Sequence, residues 1–322
     1  MKRQVPPTLL FSSLSAKIAL YEEVLKSARR YHDEAKVIGA DCNADCPARK
    51  RVQSFSLIPA LEDMDEAFLL DYCSKLELTH VIPTRDGELE FWANHQERLA
   101  EHGVQVMLSS PQAIRMCKDK LLFFQAMAKS PIPAIATAEK IAGIESERFV
   151  VKERSGAAAE SIGINLSREQ AVIHAEKLEM PIFQPMVSGS EFSAETWIDS
   201  DGNAHGVVLR WRTKIIDGES HESEIFENRE WEESMRKTFK AVEGLSGHVL
   251  GQALVDGNGE LHLIEINPRL GGASPLALAA GLNSIEWFLL QSEGFENDIP
   301  KLPLINKRLR LRKADGEVKI SS

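Results

Sequence analysis

The chain is poor in cysteine, has no excess of basic charge and holds no long apolar run. Each shortage excludes something. Four cysteines in 322 residues, Cys42, Cys46, Cys73 and Cys117, do not form a disulfide framework for a chain of this size. Cys42 and Cys46 make a C-x-x-x-C pair, yet no His/Cys pair follows at zinc-like spacing. The expectation is therefore reduced thiols in a cytoplasmic protein. No apolar run approaches the roughly 20 residues that a bilayer-spanning helix needs, so no membrane partner is expected. Lys and Arg number 38 against 48 Asp and Glu, a formal net charge of −10, which argues against a nucleic-acid or anionic-membrane partner. A local basic pocket would not show in that sum. The opening MKRQVPPTLLFSSL pairs early basic residues with a short apolar run. Pro6-Pro7 and the lack of a small-residue cleavage site suit a first strand rather than a signal peptide. The G-x-G-x-x-G of a dinucleotide site is missing from the first turn, where Ser12-Ser13-Leu14-Ser15 stands, and a dehydrogenase is rejected.

What is present suits two or three compact units. Across the first hundred or so residues, strand and helix patterns alternate. Strands are expected at 8–14, 35–40, 80–83 and 104–108, and helices at 16–32, 65–78 and 88–102. Strands separated by helices of this length mean a parallel sheet covered on both faces. Ligands of such sheets bind beyond strand ends, which makes Arg85, Asp86 and Glu88 candidates for holding an acceptor. The competing reading is an ordinary helix-opening loop with acids at its positive end. Ser110-Pro111 and Asp119 are helix-starting signals, and Lys120 follows the second. Phe149-Val150-Val151-Lys152 sets a lysine at the end of an apolar strand. The small residues Ser155, Gly156 and Ala157–Ala159 come next, a loop whose N–H groups can approach phosphate oxygens.

Residues 249–272, VLGQALVDGNGELHLIEINPRLGG, carry the densest chemistry. Asp256-Gly257-Asn258-Gly259 is a hairpin turn signal. An even loop centred on Gly257-Asn258 would set Val255 opposite Glu260 and Gln252 opposite Leu263. Period-two alternation then gathers Gln252, Glu265 and Asn267 on one face, with Arg269 just beyond. Two readings fit. One is the solvated side of a half-buried sheet; the other is an oxygen-donor site for a hard cation and phosphate. On β-patterned residues 204–213, Arg210 is expected on an exposed basic edge. The basic tail, 307–319, is expected as a surface strand or loop.

EINPR followed by LGGAS resembles the metal-binding signature of the ATP-grasp superfamily, in particular its carbamoyl-phosphate-synthase-like branch. CKDKLLFFQAM resembles the family's lysine-bearing helix start, and the similarity then runs along almost the whole chain. The resemblance implies an α/β and α+β architecture, with a Rossmann-like pre-ATP-grasp domain at 1–112 and a two-lobed ATP-grasp fold at 113–322. Its small lobe would span about 118–186 and its large lobe about 187–322. It implies ATP and Mg²⁺ as cofactors, with Mn²⁺ able to substitute. Lys120, Lys152, Ser155 and Gly156 would meet the phosphates; Gln184, Pro185, Met186 and Val187 would form the adenine slot; Glu191 would take the ribose. Lys214 and His221 would lie over the terminal phosphates. Gln252, Glu265 and Asn267 would hold metal, and Arg269 and Lys152 would act in catalysis. The phosphate loop departs from the family's glycine-rich pattern, since three alanines and Glu160 intrude; Glu160 is expected to point away. The implied activity activates a carboxylate as an acyl phosphate for attack by an amine or thiol, releasing ADP. Its partners are small-molecule carboxylates and amines, with a homodimer the default assembly. The alternatives are a non-catalytic nucleotide-binding regulatory protein, which the alanine-rich loop favours, and phosphoryl transfer without ligation.

Overall fold

A computed structural model describes residues 5–156, 161–314 and 316–322. Its first sheet contains β1 (Thr8–Phe11), β2 (Lys36–Asp41), β3 (Phe55–Leu57), β4 (His80–Ile82) and β5 (Gln105–Val106), all parallel, in the order β3-β2-β1-β4-β5. The crossovers include α1 (Ile18–Tyr31), α2 (Glu66–Lys75) and α3 (Asp86–Glu101). All of β1 is buried, as expected of a strand covered on both faces. Leu9 and Phe11 face Tyr21 and Val24 of α1, whereas Leu10 and Val81 join Trp92 and Leu99 of α3. Strand order reverses between β1 and β4, so the loops after these two strands open onto the switch point of the sheet.

The first core does not end with this unit. The apolar face of α1 also packs on α8 (Ser274–Ala280) and α9 (Ser284–Ser292), bringing Leu276, Trp287 and Phe288 into the same cluster. His80 sits on this seam. Its ring meets Phe288 edge-on with centroids 5.2 Å apart, and Nε2 lies 2.8 Å from Ser292 Oγ. Burial pushes its pKa down from 6.5 to about 4. The unfolded chain therefore takes up a proton at this residue before the folded chain does, and stability is lost as pH falls across that window. The loss should reach about 3 kcal/mol. Urea melts should show a His80→Gln variant with a flatter stability profile between pH 6.5 and 4; equally steep profiles would refute the assignment.

The large sheet runs in the order β13-β12-β9-β10-β11-β14-β15. Its strands are β9 (Gly189–Ile198), β10 (Ala204–Ile216), β11 (Glu219–Phe226), β12 (Gly247–Asp256), β13 (Leu261–Asn267), β14 (Arg310–Ala314) and β15 (Glu317–Ser321). The basic tail thus adds a hairpin to the sheet. On one face lies a second core, with Phe192, Val249 and Leu263 packed against Phe239 of α7 (Arg229–Lys240) and Phe123 of α5 (Lys120–Met127). Arg210 corrects the expectation of an exposed edge. It is 3% exposed and donates through Nε to the fully buried Glu195 at 2.7 Å.

The hairpin register also differs from the even-loop expectation. Asp256 N–H donates to Glu260 O at 3.0 Å and closes a three-residue loop, with Gly259 at φ 84°. That geometry suits a type I turn followed by a left-handed residue. Val255 consequently pairs with Leu261, not Glu260. A bulge at Ile264 adds a second one-residue offset, so that Gln252 pairs with Glu265 rather than Leu263.

A small antiparallel sheet, β7-β6-β8, joins β6 (Phe149–Glu153), β7 (Gly163–Leu166) and β8 (Pro181–Pro185), with α6 (Arg168–Ala175) packed on it. Its own core holds Phe149, Val151, Ala171 and Phe183. The segment after α5 runs along the free edge of β13, where Ile135 N–H donates to Leu263 O and Leu263 N–H to Pro133 O. It reaches the small sheet at Ala138, which pairs with Phe183.

Candidate active site

The site is organised around one carboxylate. Glu265 Oε1 accepts from Gln252 Nε2 at 3.0 Å and from Asn267 Nδ2 at 2.7 Å. The side chains grouped by period-two reasoning do converge, through the shifted register described above. Two lysines, Lys152 of β6 and Lys120 of α5, lie close enough to feel the charge of the same carboxylate. Lys152, on the same face of β6 as Val150, is 9% exposed. Burial lowers its pKa to about 8, while Glu265 opposes the shift and Lys120 adds to it. Lys120 is brought alongside by its own cap. Asp119 accepts from the Leu121 and Leu122 N–H groups and from Arg154 of the segment after β6, and Lys120 N–H donates to Arg154 O at 3.0 Å. Lys120 Nζ then reaches Gly156 O at 2.9 Å. Desolvation also lowers the Lys120 pKa, with Glu265 and Asp86 opposing. Ser155 is half-buried and Gly156 exposed at φ 103°. Ala157–Ala159 and Glu160, which the sequence singled out, lie outside the described residues.

Arg212 belongs to this cluster, although the sequence reading did not place it there. Its Nη1 donates to both Glu191 Oε1 and Gln252 Oε1, and Nη2 donates to Gly218 O. Desolvation lowers the Arg212 pKa and raises that of Glu191; each opposes the shift of the other by Coulomb attraction. The signal available in the sequence was the β9–β10 turn. Counting back from it sets Trp211 opposite Phe192, and so Arg212 alongside Glu191, but only after allowing for a bulge between His205 and Val208.

Glu265 and Asn267 fit a hard cation, because carboxylate and amide oxygens are the donors such an ion takes. Amide orientation follows from the hydrogen-bond network, and turning Asn267 by a half-rotation presents Oδ1 where Nδ2 now stands. Gln252 joins the donor set only if its carbonyl oxygen is released or shared by Arg212.

The adenine-slot candidates lie on and after β8. Gln184 is 6% exposed and its Nε2 donates to Thr137 Oγ1 at 2.8 Å. Met186 N–H is occupied by Arg148 O at 2.8 Å. Pro185, Met186 and Val187 are half-buried. Lys214 is exposed opposite Glu222, and His221 is half-buried near the Glu219–Lys313 ion pair. Among the described residues no contact joins either of them to the Glu265 cluster.

The acceptor candidates separate. Asp86 clasps Arg269 from across the two units, accepting from Nε at 2.6 Å and from Nη2, while Nη1 donates to Leu270 O at 3.0 Å. Desolvation opposes the Arg269 charge, yet the Asp86 contact outweighs it and raises the pKa. Arg85 is exposed. Glu88 is fully buried and accepts from the hydroxyls of Ser12 and Ser13, the N–H groups of Thr84 and Arg85, and Trp92 Nε1. No oxygen of Glu88 is open to a ligand. It fixes the two loops of the switch point to each other, which corrects its candidacy as an acceptor-binding group.

A parallel α/β unit joined to a large and a small antiparallel sheet, with Lys152 of the small sheet and Lys120 of α5 set near a carboxylate of β13, defines a class of nucleotide-clasping folds. Family models match in both parts: an ATP-grasp domain at residues 117–273 and a PylC-like N-terminal domain at 9–107. The chain thus carries an ATP-grasp domain behind a PylC-like N-terminal domain. No curated protein sequence matches it, but solved structures do. A Campylobacter jejuni biotin carboxylase in complex with β,γ-ATP aligns at TM-score 0.73 and 17% identity over 95% of this chain and 75% of that one. The Staphylococcus aureus N5-carboxyaminoimidazole synthetase complexed with ADP aligns at TM-score 0.73 and 15% identity, covering 97% and 83%. An L-amino acid ligase from Bacillus licheniformis aligns at TM-score 0.68 and 17% identity, covering 96% and 79%. At such identities the likeness is one of fold. No helix among the described residues is long and apolar enough to cross a membrane.

Proposed function

We propose that the protein is a Mg-ATP-dependent, ADP-forming ligase that activates a small-molecule carboxylate as an acyl phosphate for attack by an amine or thiol, acting in the cytoplasm. The observation that carries the proposal is the convergence of Lys120, Lys152, Gln252 and Asn267 on Glu265. A carboxylate does not condense with an amine at neutral pH because its oxygen is a poor leaving group. Transfer of the γ-phosphoryl group removes that obstacle, and a protein contributes to such a step mainly by positioning and charge stabilisation. Lys120 and Lys152, from the small lobe assigned to about 118–186, balance phosphate charge. Glu265 and Asn267 would hold Mg²⁺, which when bound neutralises and orients phosphate oxygens. Glu191 is released from Arg212 to take the ribose. Arg269, kept in place by Asp86, meets the oxygens around the transferred group.

ADP release measured across a panel of amino acids and short peptides, with product masses, tests the reading. Acceptor-dependent ADP with a condensed product is expected. ADP with only a phosphorylated acceptor would mean phosphoryl transfer without ligation. Nucleotide binding without ADP release under any acceptor would mean a non-catalytic binder. In the ligase, Arg269→Ala should lower turnover about 10²-fold or more while leaving ADP affinity nearly unchanged. Equal loss of both would make Arg269 a nucleotide clamp.

A further inference from the structure

Three cations meet at the switch point of the parallel sheet: Lys17 immediately before α1, Arg85 immediately before α3, and Arg269 from the other unit. Formal charge there is balanced by Asp41, Asp86 and Glu88, but hydrogen-bonding capacity is not. Both oxygens of Asp86 are taken by Arg269, and those of Glu88 by the groups already named. Asp41 accepts from Ser15 N–H at 2.7 Å and Asn43 N–H at 2.8 Å. Lys17, by contrast, donates to Ser13 O at 2.6 Å and makes no ion pair among the described residues. Burial lowers its pKa, with Glu88 the leading opposing charge. The exposed Arg85 lies across Gly87, where a Cβ would come within 2.7 Å of its Nη1, and reaches Ser13 Oγ through Nε at 3.4 Å. What remains unfilled at this point is donor capacity, and a half-buried ammonium group with open donors is best satisfied by an anionic acceptor.

Resting on the ligase reading and deepening it, we propose that Lys17 and Arg85 bind a spectator anion of the substrate, a carboxylate or phosphate group distinct from the carboxyl that reacts. The reacting carboxyl loses its charge when it becomes an amide or thioester. Cations stationed on it would stabilise the ground state and not the transition state. A group that stays anionic throughout gives uniform binding, which is what a fixed pair of donors away from the phosphoryl-transfer arginine can supply. Arg269 is held by Asp86 and Leu270 O through one N–H each of Nε, Nη2 and Nη1, and the two N–H groups this leaves it are assigned to the transferred phosphoryl group. The second substrate would therefore carry at least one negative charge besides the group being activated.

Calorimetric titration of the full chain with inorganic phosphate and, separately, with succinate tests this, each in the absence and presence of saturating Mg-ADP. At least one anion should bind saturably in both conditions. Lys17→Ala and Arg85→Ala should each weaken it tenfold or more, whereas Lys17→Arg should stay within threefold of the parent and ADP affinity should not change. The preferred probe tells phosphate from carboxylate. Arg85 is exposed, so its replacement gives a folded variant even if Lys17→Ala does not. Failure of both anions to bind, or binding indifferent to Arg85→Ala, overturns the proposal. Failure of ADP to bind the parent protein would instead defeat the ligase reading, while the nucleotide-free titrations would still decide the anion site.

Discussion

Replacing Glu265 by Gln should lower ADP formation about 10²–10³-fold, the scale seen when a preorganised electrostatic contact to a reacting group is removed. The substitution keeps the shape of the side chain and removes its charge. Oε1 is the shared acceptor of Gln252 and Asn267, and Glu265 is the acid that most strongly supports the charges of Lys152 and Lys120. An amide retains one acceptor oxygen but sets an NH₂ group among the amides of Gln252 and Asn267, and it offers a cation no net charge. The Mg²⁺ concentration for half-maximal turnover should therefore rise about tenfold or more. ADP affinity measured without metal should change far less, because the residues proposed to hold base and ribose lie on and after β8 and on β9. The assay is ADP release against Mg²⁺ concentration for parent and variant. A variant that turns over within threefold of the parent at both low and saturating Mg²⁺ would remove Glu265 from the centre of the site. Thermal stability should change little, since Glu265 is half-buried and its neighbours remain hydrogen-bonded.

The reasons why some of this was legible in the sequence, and some not, are physical. The parallel sheet was readable because its strands are short apolar runs separated by helices with a clear period. β3 was not readable because Phe55-Ser56-Leu57 is an edge strand with no fully buried residue, and so leaves no apolar run. Gln252, Glu265 and Asn267 were grouped on one face from alternation alone, although the register behind that grouping was wrong by two residues. A three-residue loop and the Ile264 bulge each shift the pairing by one, so parity survives. Arg210 was misjudged and Arg212 passed over because strand alternation places a side chain on a face but does not say what covers it. Arg210 points into a core sealed by α9, and Arg212 points to the Glu191–Gln252 side. Glu88 follows the same logic. A glutamate three residues into a helix serves either a ligand or its own cap, and only the fully buried position, with backbone and hydroxyl donors around it, decides for the cap.

Arg210→Met should destabilise the protein by about 3–5 kcal/mol, because it strands a carboxylate in the interior. Glu195 is fully buried and Arg210 is 3% exposed. One carboxylate oxygen accepts from Arg210 Nε at 2.7 Å, and the other lies 3.0 Å from His248 Nε2, whose Nδ1 is 2.9 Å from Ser284 Oγ. Arg210 Nη1 continues the network to Ser223 Oγ at 3.3 Å, so that β9, β10, β11, β12 and α9 are joined through one ion pair. Desolvation alone would raise the Glu195 pKa; Arg210 and His248 outweigh it and hold it at about 2. A carboxyl whose folded pKa lies below its ordinary 4.5 contributes stability above that value and loses it as pH falls toward about 2. Arg210→Met removes the leading cause of that depression, so the variant should be less stable at pH 7 and flatter between pH 4.5 and 2. Adding Glu195→Leu to Arg210→Met should recover much of the loss, since paired apolar replacement of a buried ion pair also removes its desolvation cost. Urea unfolding of the two single variants and the double variant gives the coupling directly. A single Arg210→Met variant within 1 kcal/mol of the parent, a margin set by the surface-pair scale, would show that the pair is not holding the sheet to α9.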